Sequence, residues 1–228
     1  MKNLGDRMKT YESVSRYYLT RRTPVIIRVD GRAFHTLLRK ANKPFDNDFI
    51  RIMQIAAMSL ARVEMQGFKL AYVQSDEASF LLTDYDKIHT QGWFDYNLAK
   101  MISISAAKMS TVFNFHSART PFTGGGLFDS RIFNIPKEDV SNYFLWRAKD
   151  WQRNSLSMYA RSFFSHKELM NKCSSEIHEM LHRIGKNWTT DLDDVLKNGS
   201  WLVGDLSDWR YDILPMYPSI EAVITPLV

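Results

Sequence analysis

Two long helical segments alternate with four short strand-like runs. Their order, β-α-β-β-α-β, restricts the fold more than any other feature of the chain. The first run, Thr23-Pro24-Val25-Ile26-Ile27-Arg28-Val29-Asp30, is β-branched and apolar, and predicts a buried strand ending in an acid and a glycine. Asp46 to Gly67 predicts a helix, because Ile50, Met53, Ala57, Leu60 and Met65 approximate helical spacing and Gly67 suits a C-cap. Phe68 to Gln74 and Ala78 to Thr83 predict two strands joined by a tight turn at Ser75-Asp76-Glu77. Trp93 to Phe115 predicts the second long helix, with Ser103, Ser105, Ala106 and Ala107 small enough for close packing. Gly124 to Gly126 is a loop, and Leu127 to Ile135 fits a fourth strand carrying Asp129 and Arg131. This order is the split βαβ, ferredoxin-like unit: an α+β fold with an antiparallel four-stranded sheet and two helices on one face.

Residues 1–136 are thus expected to form a core. Residues 137–228 are expected to be helical, with an extended tail, and packed on that core as one unit. Lys137 to Phe164 holds one or two helices, and Ser165 to Ile184 another, with Ser165 as N-cap and Glu168 three residues on. A shorter helix, Asp191 to Lys197, ends at Asn198-Gly199. After Gly204, Pro215, Pro218 and Pro226 predict an extended segment wrapping over the body. The chain has 228 residues, 45% hydrophobic and 24% charged, which suffices for a real core and excludes a disordered chain. Cys173 is the only cysteine, which excludes an internal disulfide and a cysteine-based zinc cage and suits a reducing, cytoplasmic setting. No run of 18 apolar residues occurs, so no membrane helix is expected, and Met1 to Arg7 lacks the apolar stretch of a secretory leader. The net charge of +5 permits a polyanionic partner without requiring one.

In this topology strands one and three are central and antiparallel, so the end of the first faces the start of the third. Asp30 therefore converges with Asp76 and Glu77 at one edge of the sheet. Three carboxylates within a few ångströms are costly unless a cation shares them. Hard oxygen ligands suit Mg²⁺, and two such ions about 3.5–4 Å apart can activate a hydroxyl and steady a leaving oxygen in phosphoryl transfer. Gly31 lets the chain turn sharply and a phosphate approach its amide, and its carbonyl can add a ligand. The plain alternative has Asp30 capping a turn and Asp76-Glu77 at a solvated hairpin tip.

Arg28-Val29-Asp30-Gly31-Arg32-Ala33-Phe34-His35, followed by Gln74-Ser75-Asp76-Glu77, resembles the tRNA-His guanylyltransferase family. So do Phe128-Asp129-Ser130-Arg131, Trp146-Arg147 with Asp150 and Arg153-Asn154, and Asn187-Trp188 with Lys197-Asn198-Gly199. The resemblance covers most of residues 5 to 203. Eukaryotic members carry His-Ile-Asn-Asn-Leu-Tyr-Asn where this chain has Gln152-Arg153-Asn154-Ser155-Leu156-Ser157-Met158, which keeps only the Asn and Leu at 154 and 156. That departure resembles the bacterial and archaeal guanylyltransferase-like branch.

The resemblance implies a polymerase-palm-like sheet and addition of nucleotides to RNA 5′ ends in the 3′→5′ direction. It implies Asp30, the Gly31 carbonyl and Asp76 as ligands of two Mg²⁺ ions, and Glu77 as an essential catalytic neighbour. It implies a nucleotide pocket of Asp30, Gly31, Arg32, Ala33, Phe34, His35, Ser75 and Asp76, with Lys43 and mid-helix Lys100 on the triphosphate. ATP, GTP and other NTPs are the implied substrates, tRNA the partner, and a homotetramer the assembly. The branch implies template-directed repair of 5′-truncated tRNAs; a dedicated tRNA-His guanylyltransferase is the nearest alternative. A palm-type nucleotidyl cyclase and a silent RNA-binding module are more distant ones.

Arg147, Lys149, Arg153 and Arg161, with Asn154 among them, interleave with Trp146, Trp151 and Tyr159 and form a candidate RNA surface. An amphipathic helix with its aromatics inward is the alternative. His178 and His182 lie i, i+4 near Cys173 but lack a fourth ligand, so a surface helix face is expected there, not zinc. Met101, Met109 and Met158 fit core or interface filler.

Overall fold

The computed structural model describes residues 3–203, 210–212 and 219–228. Chain order is α1 (Leu4–Ser13), β1 (Val25–Gly31), α2 (Phe34–Leu37), α3 (Asn47–Val63), β2 (Phe68–Gln74), β3 (Glu77–Leu82), α4 (Leu98–Ser117), β4 (Phe128–Asn134) and α5 (Lys137–Ala160). Then follow α6 (His166–Leu169), α7 (Ser174–Arg183), α8 (Trp188–Asp191), α9 (Asp194–Asn198), β5 (Ser200–Val203), β6 (Arg210–Asp212) and α10 (Ser219–Ile224). The sheet order is β4-β1-β3-β2-β5-β6, and each neighbouring pair is antiparallel. Its first four strands are the expected ferredoxin-like unit.

Strand alternation gives the sheet two different faces. Val25, Ile27, Val29, Ala78, Phe80 and Leu82 join the core beneath α3 and α4. Ile26, Leu70, Tyr72, Leu81 and Trp201 join a second core beneath α5 and α10. Arg28, Asp30, Glu77 and Ser79 share this second face by alternation, so the acids project toward α5 and away from the helices of the core unit. A ferredoxin-like unit leaves that face open; here the residues after 136 cover it.

Several elements differ from the sequence expectation. Strands β5 and β6 extend the sheet, and Trp201 is fully buried against Tyr72 and Phe144, with ring centroids 4.5 and 5.7 Å away. The tail is not simply extended, since it holds β6 and α10; positions 204–209 and 213–218 lie outside the described residues. The helix expected over 165–184 is two, because Met170 is extended and Asn171 left-handed (φ 61°), and Ser165/Glu168 and Cys173/Glu176 form separate capping boxes. Trp93–Tyr96 is a separate 3₁₀ turn, and α4 starts after Asn97, whose side chain accepts from the Lys100 amide. Helix α3 ends at Val63, so Gly67 (φ 79°) serves the turn into β2 and not a C-cap. Helix α1, unanticipated, buries none of its residues. Among the described residues no helix is long and apolar enough to cross a membrane.

Candidate active site

The site is built where β1 ends beside the β2–β3 hairpin. Asp30 stands opposite Glu77 in the β1–β3 register, and the Gly31 amide donates to the Asp76 carbonyl at 3.0 Å. A Cβ on Gly31 would lie 2.5 Å from the Phe34 ring and 2.8 Å from the Asp76 Cβ, so this approach requires glycine. Ser75, at the first central position of the two-residue hairpin turn, is left-handed (φ 46°), as is Ala33 (φ 57°) beyond Gly31. Such backbone is costly for residues bearing a Cβ, and both positions flank the acids. Burial pushes the Asp76 carboxyl up to about 6; hydrogen bonds from its own backbone and Ser75 oppose this, and the charges of Asp30 and Glu77 add to it.

Glu77 has a different environment. Arg147 on α5 holds it bidentately, with Nε 2.7 Å from Oε1 and Nη2 2.8 Å from Oε2. Gln74 Nε2 donates to the same Oε1 at 3.3 Å. Arg28 stands between the acids, its Nε 3.7 Å from Glu77 Oε2 and its Nη2 3.9 Å from Asp30 Oδ2. Glu77 and Arg147 are both buried. Glu77 is thus neutralised by arginine, while Asp30 and Asp76 have no such bidentate partner; all three acids line the adjoining open space. Arg147, expected on an RNA surface, lies inside beneath α5.

That open space is a cavity of about 360 Å³ lined by Asp30, Ser75, Asp76, Glu77 and, on α5, Arg147, Asn154, Met158 and Arg161. Ser75, Trp151 and Met158 also line a narrow apolar crevice beside it, with Leu38, Phe45 and Lys43. Lys43 thus shares this crevice with Ser75, the residue before Asp76; its Nζ donates to the Leu38 carbonyl at 3.1 Å. Arg32 and His35 are exposed on the segment leaving Gly31. The Phe34 side chain is a core residue against Phe113 and Phe128, so only its backbone is open to a nucleotide.

Lys100 is not brought to the site. The last turns of α4 lie at the acid end of the sheet, where the Asn114 side chain bonds both the amide and the carbonyl of Gly126. The first turn, with Lys100, lies at the other end, where the Leu98 amide bonds the Tyr17 carbonyl. Lys149 and Arg153 are exposed on another side of α5, where with His178 and Trp188 they line a groove of about 300 Å³. Of the three aromatics, Trp151 and Tyr159 are buried and Trp146 is exposed.

The residues at the acid end fit a hard divalent cation. Two carboxylates and the Gly31 carbonyl form an oxygen-only donor set, and a bound cation would offset the burial that raises the Asp76 carboxyl. Among the described residues no three His, Cys, Asp or Glu side chains group to hold a metal ion, so at Asp30 and Asp76 water and substrate would have to complete the shell.

The family model described as tRNAHis guanylyltransferase (Thg1) matches residues 5–136. The chain belongs to that family. A bacterial tRNA(His) guanylyltransferase (Thg1)-like protein in complex with ATP is 37% identical, with 99% of each chain covered and a TM-score of 0.91. A bacterial Thg1-like protein in complex with GTP is 34% identical over 99% of each chain, with a TM-score of 0.83. An uncharacterized protein, R259, of Acanthamoeba polyphaga mimivirus is 28% identical over 71% of this chain, which spans 63% of that relative's length. The chain is thus of the Thg1-like type.

For a guanylyltransferase-like chain, the sequence reading missed the residues on the roof of the site. Trp151, Ser157 and Met158 line its cavities, so Met158 is not core or interface filler. The available signal was the spacing of Arg147, Trp151, Asn154, Met158 and Arg161, which puts all five on one side of a helix.

Proposed function

We propose that the chain is a 3′→5′ nucleotidyltransferase that adds nucleotides to the 5′ ends of tRNA and repairs 5′-truncated tRNAs on the opposite strand as template. One observation carries this reading: Asp30 and Asp76 line a cavity beneath α5, and an apolar crevice lined in part by Lys43 opens beside it. A triphosphate suits the first space and a base the second. The ATP and GTP complexes of the similar bacterial proteins support the same substrates here.

In the first step a 5′-monophosphate oxygen of the RNA attacks the α-phosphorus of ATP, and pyrophosphate leaves. In the second, the 3′-hydroxyl of an incoming NTP attacks the RNA 5′-phosphorus and AMP leaves, so the new end carries the NTP's triphosphate. Asp30, Asp76 and the Gly31 carbonyl would hold Mg²⁺, which supplies charge neutralisation and a lowered hydroxyl pKa. The protein's own share is positioning and charge. Trp151 and Met158 wall the base. Lys43 and Arg161 offset phosphate charge from two sides, while Asn154 offers hydrogen bonds from the roof. Lys149 and Arg153, in the groove with Trp188, supply phosphate contacts and a stacking edge for RNA.

The homotetramer implied by the family resemblance belongs to the same reading, supported by α1, whose Leu4, Met8 and Tyr11 stay exposed on the single chain.

The first test is label transfer. With Mg²⁺ and α-labelled ATP, a 5′-monophosphorylated tRNA lacking its first nucleotide is expected to become labelled at its 5′ end. The label should leave as AMP when an NTP is added. No transfer to any RNA, with ATP intact, would contradict the proposal; consumption of NTPs without RNA would favour a cyclase.

A further inference from the structure

Helix α5 crosses β3 in a fixed register. The Tyr143 hydroxyl meets Ser79 Oγ at 2.9 Å, Arg147 grips Glu77, and Trp151 lies beside Ser75. Four helical residues advance about 6 Å and two strand residues about 6.6 Å, so the Tyr143–Ser79 and Arg147–Glu77 matches stay in phase, and one turn further on Trp151 meets the hairpin turn at Ser75. Past Trp151 the hairpin has turned back, and among the described residues no strand runs beneath the helix. Asn154, Met158 and Arg161 overhang the acids; the far side of this stretch is held by α9 and α7, through Gln152 to the Asn198 side chain (2.8 Å), Ser155 Oγ to the Leu196 carbonyl (2.7 Å) and the core of Leu156, Tyr159, Ala160, Ile177 and Leu181, while the contacts with β3 fix it on the acid side. Of the two hydrogen-bonded links to β3, the Arg147–Glu77 pair is charged, bidentate, buried and nearer the overhang. It also continues outward: Arg147 Nη2 lies 3.3 Å from Asp150 Oδ2, and Asp150 Oδ1 accepts from Arg153 Nη2 at 2.6 Å.

We propose that Arg147 is a positioning residue: through Glu77 it locks α5 in register on β3 and so sets Asn154 and Arg161 over the phosphates that react at Asp30 and Asp76. This rests on the function proposed above. Glu77 then serves the reaction through Arg147 and not as a ligand of the cation. Neither residue needs to touch RNA or nucleotide.

The test uses Glu77→Gln, Arg147→Met, Arg147→Lys and the double variant Glu77→Gln/Arg147→Met in the full chain. Each of the first two is expected to lose about 100-fold in kcat with little change in KM for NTP. The double variant should lose no more than the worse single one, because the pair acts as a unit. Arg147→Lys should recover less than about tenfold, since an ammonium lacks the planar fork. Binding of Mn²⁺ to the protein alone, read by electron paramagnetic resonance, should stay within about twofold in Glu77→Gln and fall at least tenfold in Asp76→Asn. Amide exchange over 154–161 should quicken at least tenfold in Arg147→Met while that over 137–143 holds.

Loss of Mn²⁺ binding in Glu77→Gln equal to that in Asp76→Asn would overturn the proposal by making Glu77 a ligand. So would unchanged exchange over 154–161, or losses that multiply in the double variant. A parent chain inert on every RNA would instead overturn the functional reading, and the exchange and Mn²⁺ data would still decide the register claim. Should Arg147→Met fail to fold, Glu77→Gln and Arg147→Lys carry the same readouts.

Discussion

Asp76→Asn is expected to abolish nucleotide addition, lowering kcat by at least about 10³-fold while the protein stays folded. Asp30, Asp76 and Glu77 all line the cavity, and Asp30 and Asp76 are the two that Arg147 does not hold. The asparagine keeps the shape but loses the charge that would hold the divalent cation, so the loss falls on the neutralisation that cation would give the reacting phosphates. Stability should move the other way. Burial holds the Asp76 carboxyl up at about 6, above its ordinary value, so the ionised form at pH 7 costs folding free energy. Removing that charge should leave the thermal midpoint at pH 7 equal to or above the parent's. Extension assays beside thermal melts check both parts; a variant that loses activity by unfolding would contradict this account of the site.

Gly31→Ala is the second large effect. A methyl group there would lie 2.5 Å from the Phe34 ring and 2.8 Å from the Asp76 Cβ, and Phe34 is wedged among Phe49, Phe113 and Phe128. The ring cannot retreat without moving the core, so the hairpin must give way and carry Asp76 with it. Overpacking of this kind costs about 1–3 kcal/mol. Displacing Asp76 by even an ångström should cost about 100-fold in kcat/KM. Denaturant unfolding should show the first effect and steady-state extension the second. A variant with parental stability and turnover would mean that the Gly31–Asp76 approach is not required.

Much of this site could be derived from the sequence because it depends on strand register. Once the element order implied antiparallel central strands, Asp30 had to face the hairpin, and it pairs with Glu77. The function of Glu77 could not be derived that way. Its partner Arg147 lies 70 residues further on, in a helix with aromatics on more than one side, so helical spacing does not say which face turns inward. Met158 and Trp151 were obscured for the same reason. Lys100 was misplaced because spacing gives a helix its length but not which end meets the acids. Strand β5 is only Ser200-Trp201-Leu202-Val203, too short for periodicity to show, and it is held by pairing with β2 and by burial of Trp201 against Tyr72. Helix α1 has a cap at Asn3 but buries nothing, so no core pattern announced it.

The most direct test of the central claim is a template experiment. The purified chain is given Mg²⁺, ATP, all four NTPs and 5′-truncated tRNAs differing only in the base opposite the missing nucleotide, and the products are read on a sequencing gel. The account predicts that the added nucleotide pairs with whichever base lies opposite, that extension stops at the full-length acceptor stem, and that Asp76→Asn gives neither. Addition of G alone, whatever the opposite base, would contradict template-directed repair and assign the site to a dedicated tRNA-His guanylyltransferase.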